Sequence, residues 1–277
     1  MTTSANTRST GYAIPLFFTL AFVISWGAIL LAVGPAGFPV TEEQLPALIV
    51  AMLLGPSLAA VVTASLTAGM KGFRSLFSGL LRWRVGAKWY AVALLTAPLS
   101  TVLVLLVLSL FSPGFQSAFS TTADKVTLVI MWVAAGLLVG LFEEVGWTGF
   151  AIPRLHWKHG VIWTGLEVGL LWGLWHFPVN LEGDTFAAAL PFALLLARLF
   201  TWLPAYRILM VWVYDRTESQ LVVTLMHVSL VATTGILDPV LGGGSLLVFL
   251  LAKAVVFWAI IGAVFLARTR QVQTIPA

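Results

Sequence analysis

Two adjacent carboxylates, Glu143 and Glu144, lie inside the apolar segment 141–150 of this 277-residue chain. An ionisable side chain within a membrane span costs at least ~2.5 to 3.5 kcal/mol on insertion scales. A pair that persists in such a segment therefore indicates a functional site. The alternative is that both glutamates lie near a helix end and reach water.

Two histidines in later apolar segments, His176 and His227, could act together with the glutamates. A carboxylate and two imidazoles are what water-mediated amide hydrolysis needs: a base for the water, a partner to position it and a donor for the oxyanion. The set Glu143, His176 and His227 could also bind zinc with an open fourth position. A lone intramembrane histidine often only bonds a neighbouring helix, so the catalytic interpretation depends on the whole set.

Other polar residues in the apolar segments need partners. Consecutive helical residues point about 100° apart, so one glutamate can face a given centre while the other orients it or pairs with an arginine. We expect Glu167 and Arg207 to form a structural ion pair. Arg198 needs a carboxylate partner, and Lys253 is expected to extend to the membrane surface.

The composition sets the class of protein that must position these residues. The chain is 60% hydrophobic and 9% charged, with a mean hydropathy of +0.99, which predicts an all-α, polytopic integral membrane protein. The absence of cysteine excludes disulfides, a thiolate nucleophile and a cysteine metal site. The net charge of +4 is read as topology information, and nucleic acid is not expected as a partner.

The apolar runs predict about eight spans in a single domain, 1–277, with a kink at Gly55-Pro56. The basic and aromatic segment 71–88 is either an amphipathic surface helix or an ordinary loop. The predicted spans are 11–34, 46–70, 89–111, 128–152, 161–179, 185–213, 220–237 and 246–267.

The distribution of Lys and Arg predicts the orientation. The N-terminus, the loops after spans two, four and six, and the C-terminal tail carry one, five, two, one and two, whereas the remaining loops together carry Lys125. Both termini are therefore predicted to be cytoplasmic. At 1.5 Å rise per residue, Glu143 lies ~15 Å from Pro153 and His227 ~12 Å from Ser219, so the two can meet.

Three segments, in order, resemble motifs of one family. Segment 143–150 with Pro153-Arg154-Leu155 resembles E-E-x-x-x-R, 171–178 resembles F-x-x-x-H with Trp172 in the aromatic position, and 226–229 resembles the start of H-x-x-x-N/D. These are motifs of the CPBP family, the CAAX-protease and bacteriocin-processing intramembrane proteases related to the prenyl-protein endopeptidase Rce1. The similarity covers about residues 50–235, with the catalytic core at about 128–237.

The resemblance implies a role for each residue. Glu143 becomes the base that activates water, His176 its partner, Glu144 a supporting residue and His227 a stabiliser of the oxyanion. It favours a metal-free mechanism without a cofactor, zinc being the alternative.

Two positions depart from the family pattern. Thr148 replaces the arginine of the first motif, and Val231 replaces the Asn or Asp of the third. Loss of one oxyanion donor costs ~2.7 to 4 kcal/mol, which Thr234, on the same helix face as His227, could partly offset. Thr148→Arg is expected to restore a cation beside Glu144.

The predicted function is an intramembrane endopeptidase whose cavity opens toward the cytoplasm. Its expected partners are membrane lipids and a hydrophobic or membrane-tethered peptide, in a bacterial or archaeal plasma membrane. One alternative is a non-catalytic relative, a pseudoprotease that binds peptides, acts as a scaffold or confers bacteriocin immunity. Another is a proton or ion carrier, for which the outer halves of the spans offer few polar relays.

Overall fold

The structure, a computed structural model, describes residues 11–34, 41 and 43–273. The α-helices within these residues are α1 (Ala13–Val33), α2 (Leu45–Ser78), α3 (Ala87–Ser109), α4 (Ala118–Thr121), α5 (Lys125–Gly146), α6 (Ile152–Trp175), α7 (Ala189–Phe200), α8 (Leu203–Thr217), α9 (Gln220–Leu237) and α10 (Gly243–Gln273). A π-helical turn, Trp147–Ala151, joins α5 to α6. The 3-10 turns Gly79–Leu81 and Pro178–Asn180 follow α2 and α6.

Seven stretches in the described part of the chain are long and apolar enough to cross a membrane, which confirms an all-α, integral membrane protein. They are Ala13–Val33, Leu45–Leu81, Ala87–Ser109, Lys125–His156, Ala189–Thr217, Gln220–Leu237 and Gly243–Leu266.

The predicted fifth span, 161–179, is helical as far as Trp175 but is not among the seven stretches. Charged residues such as Lys158 and Glu167 lower the hydropathy of α6, which a helix enclosed by other helices can tolerate. Eight crossings and the orientation of the termini therefore stay predictions. Arg8 and Glu42, on which the topology and loop predictions partly rest, lie outside the described residues.

Several predicted boundaries are wrong. Pro153 does not end the fourth span, because it lies in the first turn of α6, where its missing N–H costs little. The backbone leaves helical geometry at Gly160 instead, where φ is +70°. The long sixth span is divided into α7 and α8 shortly before Pro204.

The segment around α2 also differs from its prediction. Pro56 lies inside α2, whose non-helical residue is Gly69, with φ +55°. The helix then continues to Ser78, so the first part of the basic segment 71–88 is helical and residues 82–86 are not.

Close packing of α5 on α9 positions the glutamates. A Cβ at Gly136 would lie 2.7 Å from the carbonyl oxygen of Val228, and one at Gly140 would lie 3.0 Å from a methyl group of Val228. Small residues four apart let membrane helices approach closely. The last turn of α5, which carries both glutamates, is thereby held against the middle of α9.

A second set of glycines brings α6 against α8. A Cβ at Gly165 would lie 2.5 Å from the Cα of Ile208, and one at Gly169 would lie 2.6 Å from the Cα of Pro204. This contact places residues of the α8 interior next to the last turns of α6, where the second motif lies.

Candidate active site

Glu143 is held in one orientation by two tryptophans. Its side chain is 2% exposed, and its Oε2 accepts hydrogen bonds from Trp147 Nε1 at 3.1 Å and from Trp172 Nε1 at 2.8 Å. Trp147 is one turn further along the chain, and Trp172 comes from α6. Both indoles bind Oε2, so among the described residues Oε1 has no donor and is available to a water molecule.

Glu144 points away from this centre and is fully buried. Arg207 Nη1 lies 2.9 Å from its Oε1 and 3.0 Å from its Oε2. His227 Nδ1 lies 2.7 Å from Oε1, and the Thr148 hydroxyl donates to Oε2. The two glutamates therefore diverge as their helical spacing predicts, and Glu144 pairs with an arginine, which is one of the two roles expected for the second glutamate.

The two histidines each use Nδ1 for a fixed contact. His176 Nδ1 lies 2.8 Å from the carbonyl oxygen of Trp172, and since a carbonyl only accepts, Nδ1 carries the proton. The Nε2 of a neutral His176 is then an acceptor to which none of the described residues donates. The Nδ1 of His227 faces Glu144, which likewise leaves its Nε2 as the second polar atom.

Trp172 is the common neighbour of the site. Its ring centroid lies 5.4 Å from that of His176 and 5.2 Å from that of His227. The Arg207 guanidinium lies 4.1 Å from the same ring centroid. The indole therefore donates its N–H to Glu143 and packs against both histidines and Arg207.

A cavity of about 340 Å³ brings the predicted residues together. Glu143, His176 and His227 line it, whereas Glu144 and Thr148 do not. Their convergence on one cavity is the geometry that the catalytic hypothesis requires, although the chemical roles stay predictions. The remaining lining residues are Trp132, Val139, Trp172, Asn180, Arg198, Trp202, Leu203, Leu230, Val231, Thr234, Asp238 and Leu250.

The cavity reaches the end of the bundle that is opposite to the basic loops. Its lining residues Asn180 and Asp238 follow the C-terminal ends of α6 and α9. Arg82, by contrast, contacts Ser219 at the start of α9, and an 18-residue helix separates its two ends by ~27 Å. The sequence predicted that the cavity opens toward the cytoplasm and also that the basic loops are cytoplasmic. Because the cavity and the basic loops lie at opposite ends of the bundle, the two predictions are incompatible.

A separate cavity of about 570 Å³ lies at the basic end. Arg82, Arg154 and Glu218 line it, and Thr148 lines it from the side of the glutamates. Because the Thr148 hydroxyl also donates to Glu144, Glu144 and its partners separate the two cavities.

The predicted environments of Glu167 and Lys253 are wrong, whereas the carboxylate partner expected for Arg198 is present. Glu167 bonds His159 at 3.0 Å, not Arg207. Lys253 does not extend to the membrane surface, because it is fully buried and lies 2.8 Å from Asp238 Oδ2. Arg198 has its carboxylate partner in Glu182.

The described residues contain no group of three or more His, Cys, Asp or Glu side chains that could hold a metal ion. The zinc alternative, with Glu143, His176 and His227 as ligands, therefore lacks support from the geometry. A cofactor-free mechanism stays a prediction.

Sequence reasoning missed several residues of the site. Trp147 could have been found, since it lies one helical turn after Glu143. Asn180 and Asp238 contribute to the cavity from beyond the ends of α6 and α9, and their sequence positions carry no motif. Arg198 was identified as a cation in need of a carboxylate partner, but not as a residue of this cavity. Arg207 was identified as a cation within a span but assigned to the wrong carboxylate.

The sequence of this region is similar to that of known proteases. Residues 125–233 match the family model described as Type II CAAX prenyl endopeptidase Rce1-like. A CAAX prenyl protease 2 of Methanococcus maripaludis is 31% identical over 72 residues, which cover 26% of this chain and 25% of that protein. The chain thus matches about a quarter of the length of this curated relative. The helices that build the candidate site carry an Rce1-like sequence, and the relationship to the CPBP family that the motifs predicted is confirmed for this part of the chain.

Proposed function

We propose that this protein is an intramembrane endopeptidase of the CAAX-protease type that hydrolyses a peptide bond with water activated by Glu143. The observation that carries the proposal is the orientation of Glu143, whose Oε2 is held by two indoles while Oε1 is left for water in a cavity shared with His176 and His227. The Rce1-like sequence of the same helices supports it.

The proposed reaction uses the groups that line the cavity. Glu143 takes a proton from water, and the water oxygen forms a bond to the carbonyl carbon of the peptide. The same proton passes to the amide nitrogen as the C–N bond breaks. His176 Nε2 positions the water, and His227, with Nδ1 fixed by Glu144, donates from a protonated Nε2 to the oxyanion.

A non-catalytic, peptide-binding role is the second candidate, and Val231 favours it. Val231 lines the cavity one turn from His227, where the family has an Asn or Asp, and its side chain has no hydrogen-bond donor. The Thr234 hydroxyl lines the same cavity and is the proposed substitute donor. The strength of catalysis therefore depends on a residue that differs from the family pattern.

Hydrolysis by the purified protein in detergent tests the first proposal. A prenylated peptide ending in a CAAX sequence and an unprenylated apolar peptide are incubated with the protein, and the products are identified by mass spectrometry. Glu143→Gln keeps the size of the side chain and removes the base, so we expect a loss of about 10²- to 10⁴-fold in rate. Glu167→Gln, at a carboxylate that bonds His159 outside the cavity, serves as the matched control and should retain activity.

Val231→Asn separates the two candidates. An amide at this position lies one turn from His227 on the same face and could donate to the oxyanion. We expect the rate to rise about ten- to a thousandfold, and the gain to vanish with Glu143→Gln. A folded Val231→Asn protein without Glu143-dependent hydrolysis of either peptide would favour the binding role.

A further inference from the structure

Arg198 brings a fixed positive charge to the cavity that contains Glu143. Among the described residues that line this cavity it is the one Lys or Arg. It lies in the last turn of α7, and its side chain is 26% exposed. The cavity therefore has a carboxylate, Glu143, held by indoles in its interior and a guanidinium at its partly exposed edge.

The ion pair that Arg198 forms is of an exchangeable kind. Its Nη1 donates to Oε1 of Glu182, a residue of the segment between the Pro178–Asn180 turn and α7 whose side chain is 52% exposed. An ion pair whose carboxylate is well solvated contributes little, because water competes for that carboxylate. A second carboxylate that enters from the cavity can therefore replace Glu182 on the guanidinium.

The other acidic residue near the edge of the cavity is already neutralised. Lys253 Nζ lies 3.1 Å from Oδ1 and 2.8 Å from Oδ2 of Asp238. The lysine is fully buried and lies 4.6 Å from the ring centroid of Trp202. The negative charge of Asp238 is thus balanced by a buried lysine, and Arg198 is the cationic side chain of the cavity that can bind an incoming anion.

We propose that Arg198 is a specificity-determining residue that binds a carboxylate of the peptide substrate by exchange with Glu182. The planar guanidinium binds a carboxylate through two parallel hydrogen bonds, which gives orientation as well as affinity. A peptide anchored in this way would extend across the cavity toward Glu143. The inference rests on the proposed function for its substrate class, and the carboxylate is either the C-terminal α-carboxylate or an acidic side chain.

Binding to the Glu143→Gln protein tests this inference without requiring hydrolysis. Three fluorescent apolar peptides share one core sequence: one ends in a free carboxylate, one in an amide, and one in an added glutamate with an amidated C-terminus. Their dissociation constants are compared by fluorescence anisotropy in Glu143→Gln alone and with Arg198→Gln, Arg198→Lys or Glu182→Gln added. Thermal unfolding shows that each variant is folded.

We expect the free carboxylate to bind at least tenfold more tightly than the amide, and Arg198→Gln to remove this preference. Arg198→Lys should keep part of it, whereas Glu182→Gln should strengthen binding because the competing carboxylate is gone. A preference for the glutamate peptide alone identifies an acidic side chain as the ligand. If the role of Arg198 were purely structural, Arg198→Gln would weaken the binding of all three peptides equally.

Equal binding of all three peptides, or a carboxylate preference that survives Arg198→Gln, overturns the inference. In Arg198→Gln with Glu143 intact, KM for the preferred peptide should rise about tenfold with little change in kcat. Absence of hydrolysis together with an Arg198-dependent preference would contradict the proposed protease and leave the carboxylate site supported.

Discussion

Arg207 supplies Glu144 with the cation that the first family motif places on the same helix. The residue at the motif position is Thr148, and the guanidinium reaches Glu144 from α8 instead. Arg207 is fully buried and lies over the Trp172 ring. The departure at Thr148 therefore leaves Glu144 with a positive partner, and Thr148→Arg would add a second buried cation.

The replacement of the motif arginine by Arg207 can be tested by moving the positive charge from position 207 back to position 148. Arg207→Met leaves the buried carboxylate of Glu144 without its cation, which costs about 3 to 5 kcal/mol of stability, and Glu143-dependent hydrolysis should be lost. Thr148→Arg in the same chain places a guanidinium one turn from Glu144, with room in the cavity that Thr148 lines. We expect the double variant to regain about 1.5 kcal/mol and part of the activity, measured by thermal unfolding and peptide cleavage.

Arg216→Met is the control for the swap, because Arg216 is 46% exposed and pairs with Asp215 at the surface. It should change stability little. A double variant no more stable than Arg207→Met would show that Arg207 acts through its position over Trp172 and not through its charge on Glu144.

At the residue scale, what could be predicted followed from helical geometry. The divergence of Glu143 and Glu144 is fixed by the 100° step between neighbours. The partner of Arg207 was predicted wrongly because it depends on contacts between α5, α6 and α8, which no spacing within one helix encodes. The indole contacts of Trp172 were missed because an aromatic residue in an apolar span is ordinarily interpreted as packing.

The π-helical turn is the element that links the two motifs of the site. Trp147–Ala151 adds one residue to the helical path directly after the glutamates, and such turns are frequent at functional sites. It follows that α5 and α6 form nearly one continuous helix through Pro153 until Gly160. Pro153 was predicted to be an end because the π turn that precedes it has no signature in the sequence.

The glycines of α5 predict that the site depends on the close packing of α5 against α9. Gly140→Leu would place a side chain where a Cβ alone lies 3.0 Å from Val228 and 3.1 Å from the carbonyl oxygen of Thr224. The wedge should destabilise the protein by about 1 to 3 kcal/mol and lower kcat, because α9 carries His227 away from Glu144. Thermal unfolding and peptide cleavage measure the two effects.

Gly262→Leu provides the matched substitution, since nothing lies within 4 Å of a Cβ at Gly262 in α10. It should leave both stability and cleavage close to those of the unmodified protein. If Gly140→Leu behaves in the same way, close approach of α5 and α9 does not hold the site together.

The two ends of the helix bundle differ, because one carries the basic loops and the cavity of Glu143 extends toward the other. The sequence predicted a basic side and a cavity, but not that they lie at opposite ends. Eleven Lys and Arg residues lie in the segments assigned to one side, against Lys125 in the loops of the other. The depth of Glu143 and His227 was predicted from that basic side, which suggested access from it. The structure shows that Glu144, Arg207 and Thr148 close this route and that the cavity extends toward the opposite end.

Cysteine accessibility decides which end faces the cytoplasm. The chain has no cysteine, so a single introduced thiol reports one position without background. Val240, 90% exposed beyond α9, marks the cavity end, and Leu81, 80% exposed, marks the basic end. Since the excess of basic residues is retained in the cytoplasm, a membrane-impermeant maleimide added to intact cells should label Val240→Cys and should label Leu81→Cys only after permeabilisation.

The opposite labelling pattern would place the cavity of Glu143 toward the cytoplasm and show that the basic loops do not set the orientation of this protein.

The predicted labelling pattern has a consequence for the substrate. A peptide that reaches Glu143 from the cavity end would then come from the outer face of the membrane. The unprenylated apolar peptide of the cleavage assay should accordingly be cleaved when it is added outside sealed, right-side-out vesicles, and not when it is enclosed within them.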